Sequence, residues 1–307
     1  MPSNLFPIKF IAIAFVMAAG IWVGLKWLRH SLTPKKIAYL PLSTKFVERG
    51  LTTVLFKIQR NKTLNALWWP QANSLDGRSA VLMHGWGGDA TNLLDVADHL
   101  HANGWHVLLP DARSHGLSDT DDFSSLPRFA EDIDASITWL QNTVHIRKDH
   151  KRELLLVGHS LGGAGVILSA SNRTDVSAVV SISAFSHPEQ VMRRWLAGHL
   201  LPYWPIGWIV NRYIEKVIGF RFDDIAPIAR LKNVTCPVLL IHGLQDDVVP
   251  IYCAEQLLES QPNAQLLRVE GTHEKFFDQD KLQVDVQMWL QHHLSAGKAK
   301  TSHIPFP

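Results

Sequence analysis

Cysteine is nearly absent from this chain of 307 residues, which has only Cys236 and Cys253. Two cysteines are too few for a disulfide framework, and their spacing does not match a zinc knuckle. A reducing compartment is therefore the simpler prediction, although the sequence leaves open that these two residues form a disulfide bond.

The chain also lacks an excess of charge of either sign. Its 30 lysines and arginines against 28 aspartates and glutamates leave a formal net charge of +2. No basic run is long enough to follow a phosphate backbone, which disfavours nucleic-acid binding. Hydrophobic residues make up 46% of the chain, which favours a folded protein with a large core over disorder.

Motifs for metals and nucleotides are missing as well. The 16 histidines include no H-E-x-x-H sequence and no cluster with carboxylates at ligand spacing. Neither G-x-x-x-x-G-K-[ST] nor G-x-G-x-x-G follows a predicted strand. We therefore expect neither a metal nor a cofactor.

One long uncharged run is present, and it lies near the start of the chain. Phe10 to Leu25 has sixteen residues without a charge, bounded by Lys9 and Lys26. The run is slightly short for about 30 Å of hydrocarbon, but the flanking lysines and nearby tryptophans can make up the difference. We expect a transmembrane helix, with a cleaved secretory signal or a buried globular helix as alternatives.

More positive charges follow this run than precede it, which by the positive-inside rule places the rest of the chain in the cytoplasm. We therefore expect a single-pass membrane protein whose membrane partner is bound through the N-terminal helix. The predicted parts are an anchor and linker over residues 1–40, one domain over 41–295 and a disordered tail over 296–307.

The domain alternates short apolar runs with segments of helical periodicity, which is typical of a largely parallel sheet with helices on both faces. Eight strands are predicted, at Thr52 to Ile58, Leu64 to Trp69, Ala80 to Met83, His106 to Leu109, Leu154 to Val157, Ala178 to Ile182, Val238 to Ile241 and Leu266 to Val269.

Residues 186–221 interrupt this alternation with a long segment that contains Trp195, Trp204 and Trp208. A long connection within a compact domain is usually functional. We expect a small helical cap whose three tryptophans bind an apolar group of the substrate. The alternative is a pair of helices that only covers the sheet edge.

The strongest chemical motif follows the fifth predicted strand. The sequence Gly-His-Ser-Leu-Gly has Ser160 at its centre and leads into a helical stretch of small and aliphatic residues. A strand, this pentapeptide and a helix together hold a serine on a sharp turn, with glycines two positions before and after it. Ser160 is the predicted nucleophile.

A serine nucleophile needs a base and a carboxylate that orients the base. We expect both at the carboxyl ends of later strands, where ligands bind in open parallel sheets. Asp246 and Asp247 follow the seventh predicted strand, and His273 follows the eighth. The chain order is then serine, aspartate, histidine.

A glycine-rich turn, His84 to Gly88, follows the third predicted strand. Such a turn can direct a backbone N–H at a developing oxyanion. The amides of Trp86 and Leu161 are the predicted oxyanion hole, unless the glycines serve only to permit the turn.

Taken together, these motifs resemble the α/β-hydrolase superfamily over about Leu51 to Leu294, with the serine aminopeptidase S33 and monoacylglycerol-lipase-like groups among the similar ones. The shared motifs, in family order, are H-G-W-G-G, D-A-R-S-H-G-L-S, G-H-S-L-G-G, H-G-L-Q-D-D-V-V-P and G-T-H-E-K-F-F. In such relatives the position of Ser114 is ordinarily glycine, which loosens the match slightly.

The resemblance implies an α/β-hydrolase fold, that is, a mostly parallel eight-stranded sheet flanked by helices with a small helical cap, and it implies no cofactor. It also implies Ser160 as nucleophile, Asp246 as acid and His273 as base, with Asp247 as the alternative to Asp246.

We therefore expect a membrane-anchored serine hydrolase that cleaves a carboxylic ester or related acyl bond through an acyl-enzyme. Its substrate would be a small ester or lipid-like molecule with an apolar acyl group, and no protein partner is implied. Peptide cleavage at an amino terminus and non-catalytic binding on a hydrolase scaffold are the alternatives.

Overall fold

The computed structural model describes residues 15–17, 19–20, 22–24, 26, 28–30, 33–36, 42–71, 77–144 and 152–295. One sheet of eight strands forms the centre of the domain. The strands are β1 (Thr52–Lys57), β2 (Thr63–Trp69), β3 (Arg78–Met83), β4 (His106–Pro110), β5 (Glu153–His159), β6 (Ala178–Ile182), β7 (Val238–Gly243) and β8 (Ala264–Val269).

The order of the strands across the sheet is β1-β2-β4-β3-β5-β6-β7-β8. β2 is antiparallel to both β1 and β4, whereas every pair from β4 through β8 is parallel. The last residue of β5, His159, pairs with Ile182 at the end of β6, and Ile182 pairs with Ile241 near the end of β7. The loops that leave these strands therefore start side by side at one edge.

Helices cover both faces of this sheet. They are α1 (Thr44–Glu48), α2 (Leu94–Ala102), α3 (Leu126–Thr143), α4 (Leu161–Ala170), α5 (Pro188–Gly198), α6 (Trp208–Ile218), α7 (Phe222–Ile225), α8 (Pro227–Arg230), α9 (Tyr252–Ser260) and α10 (Gln279–Ser295).

The core lies on both sides of the sheet, because successive side chains of a strand point to opposite faces. In β5, Leu154 and Leu156 belong to one hydrophobic cluster, whereas Leu155 and Val157 belong to the other. An unbroken aliphatic run is what a strand covered on both faces requires. All eight predicted strands lie within two residues of the observed ones. The α/β-hydrolase fold with its mixed, mostly parallel sheet is confirmed.

The expected transmembrane helix over Phe10–Leu25 is wrong. In the described part of the chain, no helix is both long enough and apolar enough to cross a membrane. The run of sixteen residues would extend about 24 Å as a helix, short of about 30 Å of hydrocarbon. The single-pass topology, the membrane localisation and the membrane partner are corrected with it. Part of this run, including residues 10–14, lies outside the described residues, as does the predicted tail over 296–307.

After this run, the chain packs against the domain at Leu28. Leu28 is buried in a third cluster, which also contains Phe185 and Ile214. The next residue, Arg29, forms an ion pair with Asp122 at 2.6 Å. The segment thus contacts the same part of the domain as α6 of the predicted cap.

Candidate active site

Ser160 lies on the turn between β5 and α4. Its backbone has φ +54° and ψ −115°, a conformation that residues with a side chain rarely adopt. The Ser160 amide donates a hydrogen bond to the carbonyl oxygen of Ile182 on the neighbouring strand, at 2.8 Å. The sheet therefore holds the strained turn in place, with the serine half-buried at the carboxyl edge.

The two glycines of the pentapeptide are required by close backbone packing. A Cβ on Gly158 would lie 2.2 Å from the carbonyl oxygen of Gly162. A Cβ on Gly162 would lie 2.2 Å from the carbonyl oxygen of Met83 at the end of β3. Side chains at these positions would force α4 away from the sheet and move Ser160 with it.

The loops after β7 and β8 bring Asp246 and His273 together. Nδ1 of His273 lies 2.8 Å from Oδ2 of Asp246, and both side chains are buried. Oδ1 of Asp246 accepts hydrogen bonds from the amides of Val248 and Val249 at 3.0 and 2.7 Å. Asp247, the alternative carboxylate, is exposed.

Two opposing effects act on the pKa of Asp246. Burial raises the pKa of this carboxyl group, but hydrogen bonds from His242, His273 and the Val249 amide lower it more, so that the pKa is well below its ordinary value. Asp246 is therefore a carboxylate at neutral pH. A carboxylate at this position favours a proton on Nδ1 of His273, which leaves Nε2 as the basic nitrogen of the ring.

Ser160 and His273 are connected through His159. Nε2 of His159 lies 2.8 Å from the carbonyl oxygen of His273. Within the described residues, the Ser160 hydroxyl forms no hydrogen bond with the His273 ring. Bonds of this kind commonly tighten only when substrate binds.

The glycine-rich turn after β3 packs against the serine. A Cβ on Gly85 would lie 3.1 Å from the Cβ of Ser160. The amides of Trp86 and Leu161 donate no hydrogen bond to any other described residue. Leu161 is the first residue of α4, where amides have no partner within the helix. Their role as an oxyanion hole stays a prediction.

Two buried histidines pack beside this turn. Nε2 of His84 accepts a hydrogen bond from the Ala112 amide at 3.0 Å, and the ring of His115 lies 5.8 Å from that of Trp86. Burial lowers the pKa of His84 and of His115 to about 4. Both rings are therefore neutral at pH 7 and place no charge next to the turn.

Comparisons with known proteins agree with this architecture. The model of the family described as serine aminopeptidase, S33, matches residues 78–218. A Pyrococcus furiosus esterase, Pf2001, superposes on the chain with a TM-score of 0.65 at 18% identity, over 85% of this chain and 97% of the esterase. The chain belongs to the α/β-hydrolase superfamily.

Two curated relatives match parts of this chain. The uncharacterized protein YqkD of Bacillus subtilis is 27% identical over 194 residues, which span 61% of this chain and 62% of YqkD. A thermostable monoacylglycerol lipase of a Bacillus species is 21% identical over 209 residues, 63% of this chain and 81% of the lipase. The chain thus matches less than two thirds of the length of YqkD.

The predicted cap region contains α5 and α6, and its three tryptophans face solvent. Trp204 is 71% exposed, and its ring meets that of Trp208 edge-on at 5.9 Å. Trp195 is half-exposed and lies beside His199, with ring centroids 4.3 Å apart. Substrate binding by these residues stays a prediction, as do the domain boundaries.

A hydrogen bond connects the cap region to the loop of Asp246, and the sequence did not predict it. Nη2 of Arg194 in α5 donates a hydrogen bond to the carbonyl oxygen of Asp247 at 2.5 Å. Asp247 follows Asp246 directly, so the helix is attached to the loop that holds the buried carboxylate. A long, exposed side chain such as that of Arg194 carries no sequence signal for such a contact.

A cavity of about 180 Å³ lies behind His273, between the sheet, α2 and α10. Most of its lining is apolar, but His159, His273 and Glu274 also face it. One ligand atom from each of these three lies within 4.8 Å of the other two. Sequence reasoning missed this cluster because 114 positions separate the two histidines. The adjacent His273 and Glu274 were the only signal for it.

Proposed function

We propose that this hydrolase cleaves a carboxylic ester or related acyl bond through an acyl-enzyme. Ser160 acts as the nucleophile, His273 as the base and Asp246 as the acid that orients the base. The observation that carries the proposal is the strained Ser160 turn at the same sheet edge as the buried pair of His273 and Asp246.

In the first half-reaction, Oγ of Ser160 attacks the carbonyl carbon while Nε2 of His273 takes the hydroxyl proton. The amides of Trp86 and Leu161 donate hydrogen bonds to the oxyanion that forms. The proton on Nε2 then passes to the leaving alkoxide, and the carbon–oxygen bond to the leaving group breaks.

In the second half-reaction, Nε2 of His273 removes a proton from water, which attacks the acyl carbon. The bond between the acyl carbon and Ser160 breaks, and the proton returns to the serine oxygen. Asp246 remains a carboxylate throughout, because its hydrogen bonds favour the charged form.

Two observations support a small ester or lipid-like substrate with an apolar acyl group. The names of the similar proteins include an esterase and a monoacylglycerol lipase. The cap region between β6 and β7 also presents large apolar side chains, among them Trp204, Trp208 and Ile209. An aromatic surface of this kind can cover an aliphatic chain.

The test is the Ser160→Ala variant, assayed with p-nitrophenyl acetate and with a fluorophosphonate probe. We expect kcat to fall by on the order of 10⁴-fold and labelling to disappear, since the remaining groups cannot form the acyl-enzyme. Ser260→Ala, which changes a serine at the end of α9, is the matched control and should keep both. Full hydrolysis by folded Ser160→Ala would refute the assignment.

Cleavage of peptides at the amino terminus is the second candidate, favoured by the description of the matching family model. The same serine would form the acyl-enzyme, and the leaving group would be an amine. A panel of aminoacyl p-nitroanilides beside the p-nitrophenyl esters separates the two. Turnover of the anilides with esters untouched would favour the peptidase, and no labelling at all would favour a binding protein.

A further inference from the structure

The cluster of His159, His273 and Glu274 has the composition of a zinc site. Two imidazoles and one carboxylate are the protein ligands of many zinc centres, which leave a fourth position for water. The three ligand atoms already lie within 4.8 Å of one another. Ligand atoms around a tetrahedral zinc ion are about 3.4 Å apart, so the cluster needs to contract by at most about 1.4 Å.

Glu274 is the residue that can provide this contraction. Its side chain is exposed. The His159 ring is held by the hydrogen bond of its Nε2 to the backbone carbonyl of His273, which leaves Nδ1 for a metal, and the His273 ring is held by the hydrogen bond of its Nδ1 to Asp246. Of the three ligands, the exposed Glu274 carboxylate therefore has the most freedom to rotate towards a bound ion. The cavity that all three residues line gives room for the ion and for a water ligand.

Zinc at this site would bind Nε2 of His273. Nδ1 of this ring is hydrogen-bonded to the Asp246 carboxylate at 2.8 Å, so Nε2 is the nitrogen left for a metal. The same Nε2 takes the proton of Ser160 in the proposed mechanism. A ring nitrogen bound to zinc has no lone pair for that proton.

We propose that His159, His273 and Glu274 form a reversible zinc site, and that zinc bound there inhibits the hydrolase by occupying Nε2 of His273. The inhibition rests on the proposed function, because it requires His273 to be the base. The zinc site itself does not, because it depends only on the positions of three ligands.

The first experiment measures hydrolysis of p-nitrophenyl acetate by the full chain over a series of free Zn²⁺ concentrations. We expect progressive inhibition that excess EDTA reverses. In Glu274→Gln, the zinc concentration that halves the variant's own zinc-free rate should rise on the order of tenfold or more, since one of three ligands loses its charge. Glu259→Gln, an exposed glutamate on α9, is the matched control and should behave as wild type.

The second experiment measures zinc binding without hydrolysis, by competition with a chromophoric chelator in the Ser160→Ala background. We expect one tight zinc equivalent that Glu274→Gln weakens by the same factor and Glu259→Gln does not. Binding to scattered surface histidines would be insensitive to Glu274→Gln and would overturn the proposal. Absence of a tight site, with normal ester hydrolysis by the unmodified chain, would refute the zinc proposal alone. A tight site, with no ester hydrolysis by the unmodified chain, would refute the proposed function alone.

Discussion

The Ser160 turn and the cap region differ in how much freedom their neighbours leave them. Around the turn, a single added Cβ on Gly162 would lie 2.2 Å from a carbonyl oxygen of β3. In α5, an added Cβ on Gly198 would meet no atom within 4 Å. The groups proposed for catalysis therefore lie where packing permits one arrangement, and the groups proposed for substrate selection lie where substitutions cost little.

The difference is also one of backbone strain. A positive φ at Ser160 costs on the order of 1–3 kcal/mol, which the surrounding structure must offset. Every residue of α4 after Leu161 is buried, so the packing that offsets the strain is extensive. By contrast, Leu200 at the end of α5 also has a positive φ, of 57°, and is 92% exposed. Packing therefore surrounds the strained backbone at Ser160, whereas the strained backbone at Leu200 in the cap region lies in solvent.

The largest effect is expected from glycine-to-alanine substitutions that contrast the two regions. Gly162→Ala should lower the free energy of unfolding by about 3 kcal/mol or more, because its Cβ collides with backbone that cannot move aside. Gly198→Ala should change it by between zero and about 1 kcal/mol in the stabilising direction, since alanine favours helix. Urea denaturation of both variants measures the contrast.

The two glycine variants should also differ in ester hydrolysis. Gly162→Ala should also abolish ester hydrolysis in whatever fraction remains folded, because α4 carries the Leu161 amide. Gly198→Ala should hydrolyse p-nitrophenyl acetate as wild type does. Equal stability of the two variants would mean that the turn can relax around an extra methyl group, and the contrast would fail.

A smaller change in the free energy of unfolding is expected from a change in pH, because buried histidines lie beside the glycine-rich turn after β3. His115 has a pKa of about 4 in the folded protein against 6.5 for an unperturbed histidine. Between these values the unfolded chain binds a proton that the folded protein does not, so stability is full above pH 6.5 and is lost as pH falls towards 4. The His115 contribution between pH 7 and pH 5 is about 2 kcal/mol.

His115→Asn removes this contribution while its side-chain amide can still donate to the Arg113 carbonyl, as Nδ1 of the histidine does at 2.9 Å. Its free energy of unfolding should therefore fall less than that of wild type between pH 7 and pH 5, by about 2 kcal/mol. The cap offers no counterpart among histidines at this depth, so the region beside the turn is the acid-sensitive one. Identical pH slopes for the two proteins would contradict this assignment.

Much of the fold followed from local patterns in the sequence. Aliphatic runs such as Leu154 to Val157 predict strands buried on both faces, and the structure places all eight predicted strands within two residues. The serine turn was predictable for the same reason, because glycine spacing reflects a steric requirement that acts within five residues. Glycine spacing does not identify every such turn. Ser114 has φ +67°, a conformation that favours glycine, and its hydroxyl accepts a hydrogen bond from the Asp121 amide at 2.9 Å.

What could not be predicted depends on contacts between distant parts of the chain. Hydrophobicity alone suggested a transmembrane helix at Phe10–Leu25, but composition does not set the length of a helix. The cluster of His159, His273 and Glu274 forms only because β5 and β8 end at the same edge. The contact between Arg194 and the Asp247 carbonyl depends on how α5 lies on the domain, which no local pattern encodes.

The smallest effect on stability, and the most informative one on specificity, is expected from the cap. Trp204 and Trp208 are 71% and 46% exposed, so replacing both by alanine should change the free energy of unfolding by less than about 0.5 kcal/mol. If these rings cover the acyl chain during the reaction, each buried methylene contributes about 0.8 kcal/mol. The double variant should then lose about tenfold in kcat/KM for p-nitrophenyl octanoate and little for the acetate ester.

Trp22→Ala, at a 58% exposed tryptophan outside the cap, is the control and should leave both values unchanged. An equal loss for both esters would assign the two rings a structural role, and no loss would place chain-length selection outside the cap.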